Sequence, residues 1–188
     1  KESIASAYNN IGNILMYQAK YINAFDYFKL SLKIRKELGN KQGVAQSLDN
    51  IGLLFKEQGF YDRAFEFFHK SLKIRKELND KNGIAGSFCN IGIIFFKQKN
   101  YSQAIIYGNK ALSLAKKMGI IKRTRDAGDL LYRSYKKKGD HSKALDMYEL
   151  YVEMRDSINN EENTKATIQQ QFKYEYDTKL KTQQLEQE

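Results

Sequence analysis

The sequence predicts an all-α solenoid of antiparallel helix pairs, and three observations carry that prediction. The first is a period of forty residues. Ile4-Ala5-Ser6-Ala7-Tyr8-Asn9-Asn10-Ile11-Gly12 is matched by Val44-Ala45-Gln46-Ser47-Leu48-Asp49-Asn50-Ile51-Gly52, and again by Ile84-Ala85-Gly86-Ser87-Phe88-Cys89-Asn90-Ile91-Gly92. The octapeptide Ser31-Leu32-Lys33-Ile34-Arg35-Lys36-Glu37-Leu38 recurs unchanged from Ser71 to Leu78. A fixed period of this size marks stacked supersecondary units, none of which buries its apolar face alone. The second observation is apolar spacing of three and four residues inside each unit, which puts those residues on one helical face. The third is the absence of proline from all 188 residues, so little interrupts a helix.

Four units are expected, over residues 1–43, 44–83, 84–123 and 124–158, with a capping or linker helix over 159–188. In the first unit a helix from about Glu2 to Gln18 carries Ile4, Tyr8, Ile11 and Leu15 on one face. Ala19 to Asn23 is its turn. A second helix to Leu38 points Ala24, Phe28, Leu32 and Leu38 inward, and Gly39-Asn40-Lys41-Gln42-Gly43 reads as a linker whose glycines suit helix ends. The second unit repeats this with Leu48, Ile51, Gly52 and Phe55, a turn in which Asp62 suits an N-cap, then Ala64, Phe68 and Leu72. Asn79 to Gly83 is its linker. The third unit has Phe88, Ile91, Gly92 and Phe95, then Ala104, Gly108 and Leu112. The fourth is degenerate but in register, through Ala127, Leu131, Tyr135, Ala144, Tyr148 and Tyr151, and it places Tyr132 where the others have glycine, so packing there must differ. After it, Ile168, Phe172, Tyr176 and Leu180 fall four apart in a polar stretch read as one long helix. In register, the start of that helix is the first helix of a fifth unit.

Composition narrows the function classes. No window approaches the roughly 18 apolar residues of a membrane span. The first residue is Lys1, and we read the chain as a fragment or a mature form. One cysteine, Cys89, leaves no internal disulfide and no cysteine-based zinc site. His69 and His141 lie in different units, neither with a second ligand four residues on, so no metal is expected. No phosphate-binding glycine loop or nucleophile motif is present; no catalytic residue and no cofactor are expected. Net charge is +10, unevenly spread: from Asp156 onward seven acids face four lysines, leaving that tail at −3 and the repeats at +13. A basic body brings nucleic acid, anionic membrane and acidic peptide into consideration. Lys116, Lys117, Lys122, Arg123 and Arg125 form one cluster, and Arg133, Lys136, Lys137, Lys138 and Lys143 another. The aromatics needed to stack bases fall at core positions instead, which disfavours nucleic acid.

The residue pattern selects among helical repeats. Tyr8–Ile11–Gly12–Leu15–Ala24–Phe28, Leu48–Ile51–Gly52–Phe55–Ala64–Phe68 and Phe88–Ile91–Gly92–Phe95–Ala104–Gly108 resemble the tetratricopeptide repeat signature. Its glycine and alanine are expected where the two helix backbones nearly touch. The resemblance covers residues 1 to about 158 and implies a right-handed superhelix that binds proteins or peptides. The forty-residue length resembles the longer variant of kinesin light chains and Rap-type bacterial regulators. The helix after Met154-Arg155-Asp156-Ser157-Ile158 resembles a narrower group, the repeat regions of bacterial sensor histidine kinases and related two-component regulators. That resemblance implies a sensing or adaptor role, on the periplasmic or cytoplasmic side of a membrane-attached regulator, with any membrane contact made by a segment outside this chain. Beyond about Leu180 the C-terminal helix has too few apolar residues to pack on the body, and it is expected either to be solvated as a link to another module or to pair with a second copy as a homodimer.

In such a superhelix the first helices line the concave side. With Leu48 and Ile51 pointing between helices, Gln46, Asp49, Asn50 and Leu53 face the groove. Their counterparts include Asn9, Asn10 and Asn13 in the first unit, Asn90 and Ile93 in the third, and Arg133 in the fourth, with Lys137 one turn further on. Asn10, Asn50 and Asn90 form a ladder. An asparagine amide both donates and accepts, so a ladder of them suits peptide backbone; the same residue can equally bridge helices within the solenoid. Clamping a C-terminal carboxylate, a further use in the family, needs cations at groove positions where Asn9, Gly86 and Asn90 stand, and we reject it. Arg133 and Lys137 leave the fourth unit a preference for acidic ligands.

Overall fold

The computed structural model describes the backbone of residues 1–185 and the side chains of residues 1–170 and Lys173. Phe172, Tyr176 and Leu180 of the expected apolar stripe lie outside the described side chains. Eight helices follow in order: α1 (Glu2–Tyr17), α2 (Tyr21–Glu37), α3 (Lys41–Glu57), α4 (Tyr61–Glu77), α5 (Lys81–Lys97), α6 (Tyr101–Lys117), α7 (Ile121–Lys138) and α8 (His141–Leu185). Each packs on the next in sequence. The odd helices also approach one another, α1 with α3 and α5 with α7, and so line the inner wall of the solenoid.

One turn serves every joint. The middle residue has positive φ at Ala19, Gly39, Gly59, Asn79, Lys99, Gly119 and Gly139. At the joint after α2, Asn40 N donates to Arg35 O and Gly39 N to Lys36 O, each at 3.0 Å, the paired bonds of a left-handed helix C-cap. The linkers are therefore shorter than the sequence suggested. Lys41 to Gly43 form the first turn of α3, and Lys81 to Gly83 the first turn of α5. Asn40 and Asp80 are the N-caps, accepting from Gly43 N and Gly83 N at 2.8 Å. The extra length of the repeat lies in its helices. Asp62 is not an N-cap: Phe60 holds that place, and Asp62 Oδ1 accepts from Gln98 Nε2 at 3.1 Å.

The core is built by rings standing over glycine. A Cβ on Gly12 would sit 2.5 Å from the Phe28 ring, and one on Gly52 2.7 Å from that of Phe68. The signature glycine thus makes room for the aromatic of the second helix, where the sequence suggested backbone against backbone. Later units vary this joint. In the third, residue 108 is glycine, and Leu130 and Leu131 fill the gap from α7, with Leu130 Cδ2 at 2.6 Å from a Cβ on Gly92. In the fourth, Tyr132 occupies the glycine position and its ring tilts on Tyr148 at 5.1 Å. Tyr148 cannot enter and stays 43% exposed, whereas Phe28 and Phe68 are at 0%. The close approach moves one turn back to Gly128, whose Cβ would lie 3.4 Å from Met147 O.

The fifth unit does not form. α8 runs without a turn through residue 158, because nothing between His141 and Leu185 is glycine or proline. Without a reversal the helix cannot fold back on the stack. Residues 159–170 are all exposed, and Ile168 is 47% exposed. The helix leaves the body near Asn159, well before Leu180. No helix among the described residues is long and apolar enough to cross a membrane.

Candidate binding groove

The inner wall separates the expected groove residues into two sets. Asn50 Nδ2 donates to Asn9 Oδ1 at 2.6 Å, joining α3 to α1, and Asn9 is only 4% exposed. Asp49 is taken by Arg75 at 2.6 Å. Leu53 packs against the larger core cluster. Asn10 and Gln46 are exposed and Asn13 is half-buried. None of these seven lines the two clefts described next. Asn90, Ile93 and Arg133 do, while Lys137 is exposed beyond the rim.

Two adjoining clefts, of about 500 and 310 Å³, share Ile93, Asp126, Asp129 and Arg133. The larger continues over Phe96 toward Lys56 and Tyr61. The smaller reaches Asn90, Arg123 and Tyr151. Helix α5 supplies the apolar floor and α7 most of the charge. Arg125 pairs with Asp126 at 2.7 Å and Arg133 with Asp129 at 2.9 Å, while Arg123 lies 3.5 Å from Asp126. On α7 three guanidiniums face two carboxylates, and Lys56 and Lys97 line the larger cleft against Glu57, so the walls carry an excess of positive charge. Burial pushes the Asp129 carboxyl above the ordinary range, and the nearby Asp126 adds to this against the pull of Arg133. Burial also pushes the Cys89 thiol up to about 12, so it stays protonated and is no nucleophile. Among the described residues no three histidine, cysteine or acidic side chains converge as a metal site would need. His69 is exposed and stacks on Phe65 at 6.0 Å.

Arg123 reaches the cleft through an exchange between repeats. The repeated octapeptide places Arg35 and Arg75 in buried joints. Arg35 Nη1 donates to Gly43 O at 3.1 Å and Ser47 Oγ at 3.0 Å. Arg75 meets Asp49 and also Asp80 at 2.8 Å. Glycine must face these side chains: a Cβ on Gly43 would lie 2.8 Å from Arg35 Cδ, and one on Gly83 would overlap the Arg75 guanidinium. At the next joint the serine is Ala111, the arginine is Ala115 and the glycine is Arg123. The cation now comes from α7, lies over Gly86 and donates to Asn82 Oδ1 at 2.9 Å. The signal is present in the sequence, in Arg35, Arg75 and Ala115 beside Gly43, Gly83 and Arg123, but counting groove positions along the first helices does not reach it.

The sequence profile of the tetratricopeptide repeat family matches residues 3–77 and 50–117. These segments cover more than half of the chain, and the chain belongs to that family. No curated protein matches it by sequence. Solved structures share its fold. BtubC from P. vanneervenii is 20% identical with a TM-score of 0.71, over 82% of this chain and 64% of that one. Aspartyl phosphate phosphatase F from Bacillus subtilis is 18% identical with a TM-score of 0.79, over 85% and 42%. The Rap conjugation gene regulator of plasmid pLS20, in complex with a Phr peptide, is 18% identical with a TM-score of 0.77, over 85% and 44%. The chain spans roughly two fifths to two thirds of the length of these proteins.

Proposed function

We propose that this chain is a non-catalytic scaffold that binds a peptide or protein segment in the concave groove between α3, α5 and α7. The observation that carries the reading is the continuous cleft around Ile93, Asp126, Asp129 and Arg133, with Asn90 at one end and Phe96 at the other. Apolar side chains can seat in its floor, the Asn90 amide can meet peptide backbone, and the excess cation favours an acidic side chain. That a Rap regulator of the same fold was solved with a peptide bound supports the reading. The chain further acts as the sensing or adaptor part of a larger bacterial regulator of the two-component type, with α8 as the connection to an output module. The exposure of residues 159–170 suits a connecting or pairing helix.

Selection from a random peptide library on the immobilised chain, followed by fluorescence anisotropy with the selected peptides, tests the groove. Asn90→Ala with Arg133→Ala is expected to weaken those peptides at least tenfold with an unchanged Tm. Peptides that bind the double variant as tightly as the wild type, or a selection that yields none, refute it.

A further inference from the structure

One guanidinium in the groove is anchored on one edge and open on the other. The groove positions along the first helices run Asn13, Leu53, Ile93 and Arg133, so a cation enters that row in the fourth unit alone. Packing does not require it there. The Arg133 side chain is 60% exposed, whereas the joint arginines Arg35 and Arg75 stand at 4% and 15%.

The three arginines of α7 are committed to different degrees. Arg125 lays Nε and Nη2 on Asp126 Oδ1, at 3.1 and 2.7 Å. Arg123 gives Nε to Asn82 Oδ1 at 2.9 Å and Nη1 to Asp126 Oδ2 at 3.5 Å. Arg133 gives only Nε, to Asp129 Oδ1 at 2.9 Å. Among the described residues nothing accepts from its Nη1 or Nη2. The bond at Nε steadies the planar group and leaves its end-on edge open. That edge carries two parallel N–H donors, which match the two oxygens of a carboxylate. Arg123 and Arg125 together outweigh Asp126, so the surroundings stay positive even with Asp129 beside Arg133.

The apolar surface beside Arg133 sets the rest of the ligand. Ile93 lines both clefts with it, and Phe96 and Leu130 continue the floor of the larger one. An extended chain rises about 3.3 Å per residue and turns alternate side chains to one face. A large apolar residue within two positions of an acid therefore falls on this floor. Resting on the groove reading above, we propose that Arg133 determines its specificity: it takes a side-chain carboxylate end-on, and the ligand is a peptide in which Asp or Glu lies within two positions of a large apolar residue seated on Ile93 and Phe96.

The test uses the full chain and peptides selected on it, synthesised with amidated C-termini so that only side-chain carboxylates remain. Ile93→Gln and Phe96→Gln mark whether a peptide sits on the floor, and either serves if circular dichroism shows the other unfolded. Fluorescence anisotropy gives the affinities. Replacing the peptide's acid by its amide should weaken binding to the wild type about tenfold, as for a lost bond to a charged group. In Arg133→Met, which keeps the stem and loses the fork, the same replacement should cost about twofold or less. In Arg133→Glu the preference should invert, a lysine in place of the acid binding tighter than the acid. Suppose the floor markers abolish binding, yet acid and amide peptides bind alike, or the acid matters equally with and without Arg133, or amidating the C-terminus removes binding. Each of these overturns the role of Arg133 while the groove stands. Binding that ignores the floor markers overturns the groove reading and this inference with it.

Discussion

Replacing Arg75 by methionine tests whether the repeated octapeptide is kept for its buried cation. Arg75 and Asp49 have side chains only 15% and 14% exposed, and the guanidinium also meets Asp80 at 2.8 Å and Ser71 Oγ at 3.2 Å. Methionine retains most of the volume but leaves Asp49 buried without its counter-ion. Stranding one partner of a buried pair costs about 3 kcal/mol or more. In the equivalent joint, Arg35→Met loses bonds to a carbonyl and a hydroxyl and a 3.3 Å ion pair with Glu2, whose side chain is 44% exposed and can turn to water, and should cost about 2 kcal/mol. The two changes fall in identical octapeptides, so the difference reports the partners alone. The pH dependence adds a second readout. Burial raises the Asp49 carboxyl above the ordinary 3.8 while Arg75 opposes it. Without Arg75 the folded-state value climbs further. The loss in Arg75→Met is then complete above that higher value, fades as pH falls through it, and is gone below the raised value of the wild type, where Asp49 is protonated in both folded proteins. Urea midpoints at pH 7 and pH 4 measure both effects, and Asp49→Asn in the same background should abolish the difference between them. A loss under 0.5 kcal/mol at pH 7, or one that does not shrink at pH 4, would sink this account.

Other changes separate packing from binding. Gly52→Ala drives a methyl against the Phe68 ring and should cost about 1–3 kcal/mol, read from the urea midpoint. Asn50→Ala leaves the buried Asn9 amide unpaired and should cost about 1–3 kcal/mol, whereas Asn90→Ala, whose side chain makes no hydrogen bond among the described residues, should stay within 0.5 kcal/mol. Equal effects on Tm would contradict that split. Cys89 should resist a thiol reagent at pH 8 in the folded chain and react fast in urea; rapid labelling of the folded chain contradicts its burial.

The asparagine ladder shows how far repetition can be read for function. Asn10, Asn50 and Asn90 are equivalent by period, and sequence alone gives them one role. In three dimensions Asn10 is exposed, Asn50 donates to Asn9, and Asn90 lines the smaller cleft without a hydrogen bond among the described residues. Equivalent residues thus divide into an exposed one, a bridge and a groove residue, because the partner a neighbouring unit offers differs: Asn9 accepts from Asn50, whereas Asp49, its counterpart one unit on, is held by Arg75. The cleft was half legible for the same reason. Ile93 and Arg133 were found by counting from Leu53 and Asn13, but Arg123 was not, since it exchanges places with Ala115 across a joint.

Sequence alone determined the helices, their pairing and their order, because the forty-residue period, the three- and four-residue apolar spacing and the lack of proline are local properties of the chain. It also determined that Tyr132 would break the packing rule. The tertiary structure decided where the units join, since the left-handed residue of each turn can be Gly39, Asn79 or Lys99 and composition does not mark it. It decided that α8 never turns back. It decided as well which polar residues are spent inside the stack and which face the groove, because a hydrogen bond such as Asn50 to Asn9 exists only once two helices lie side by side.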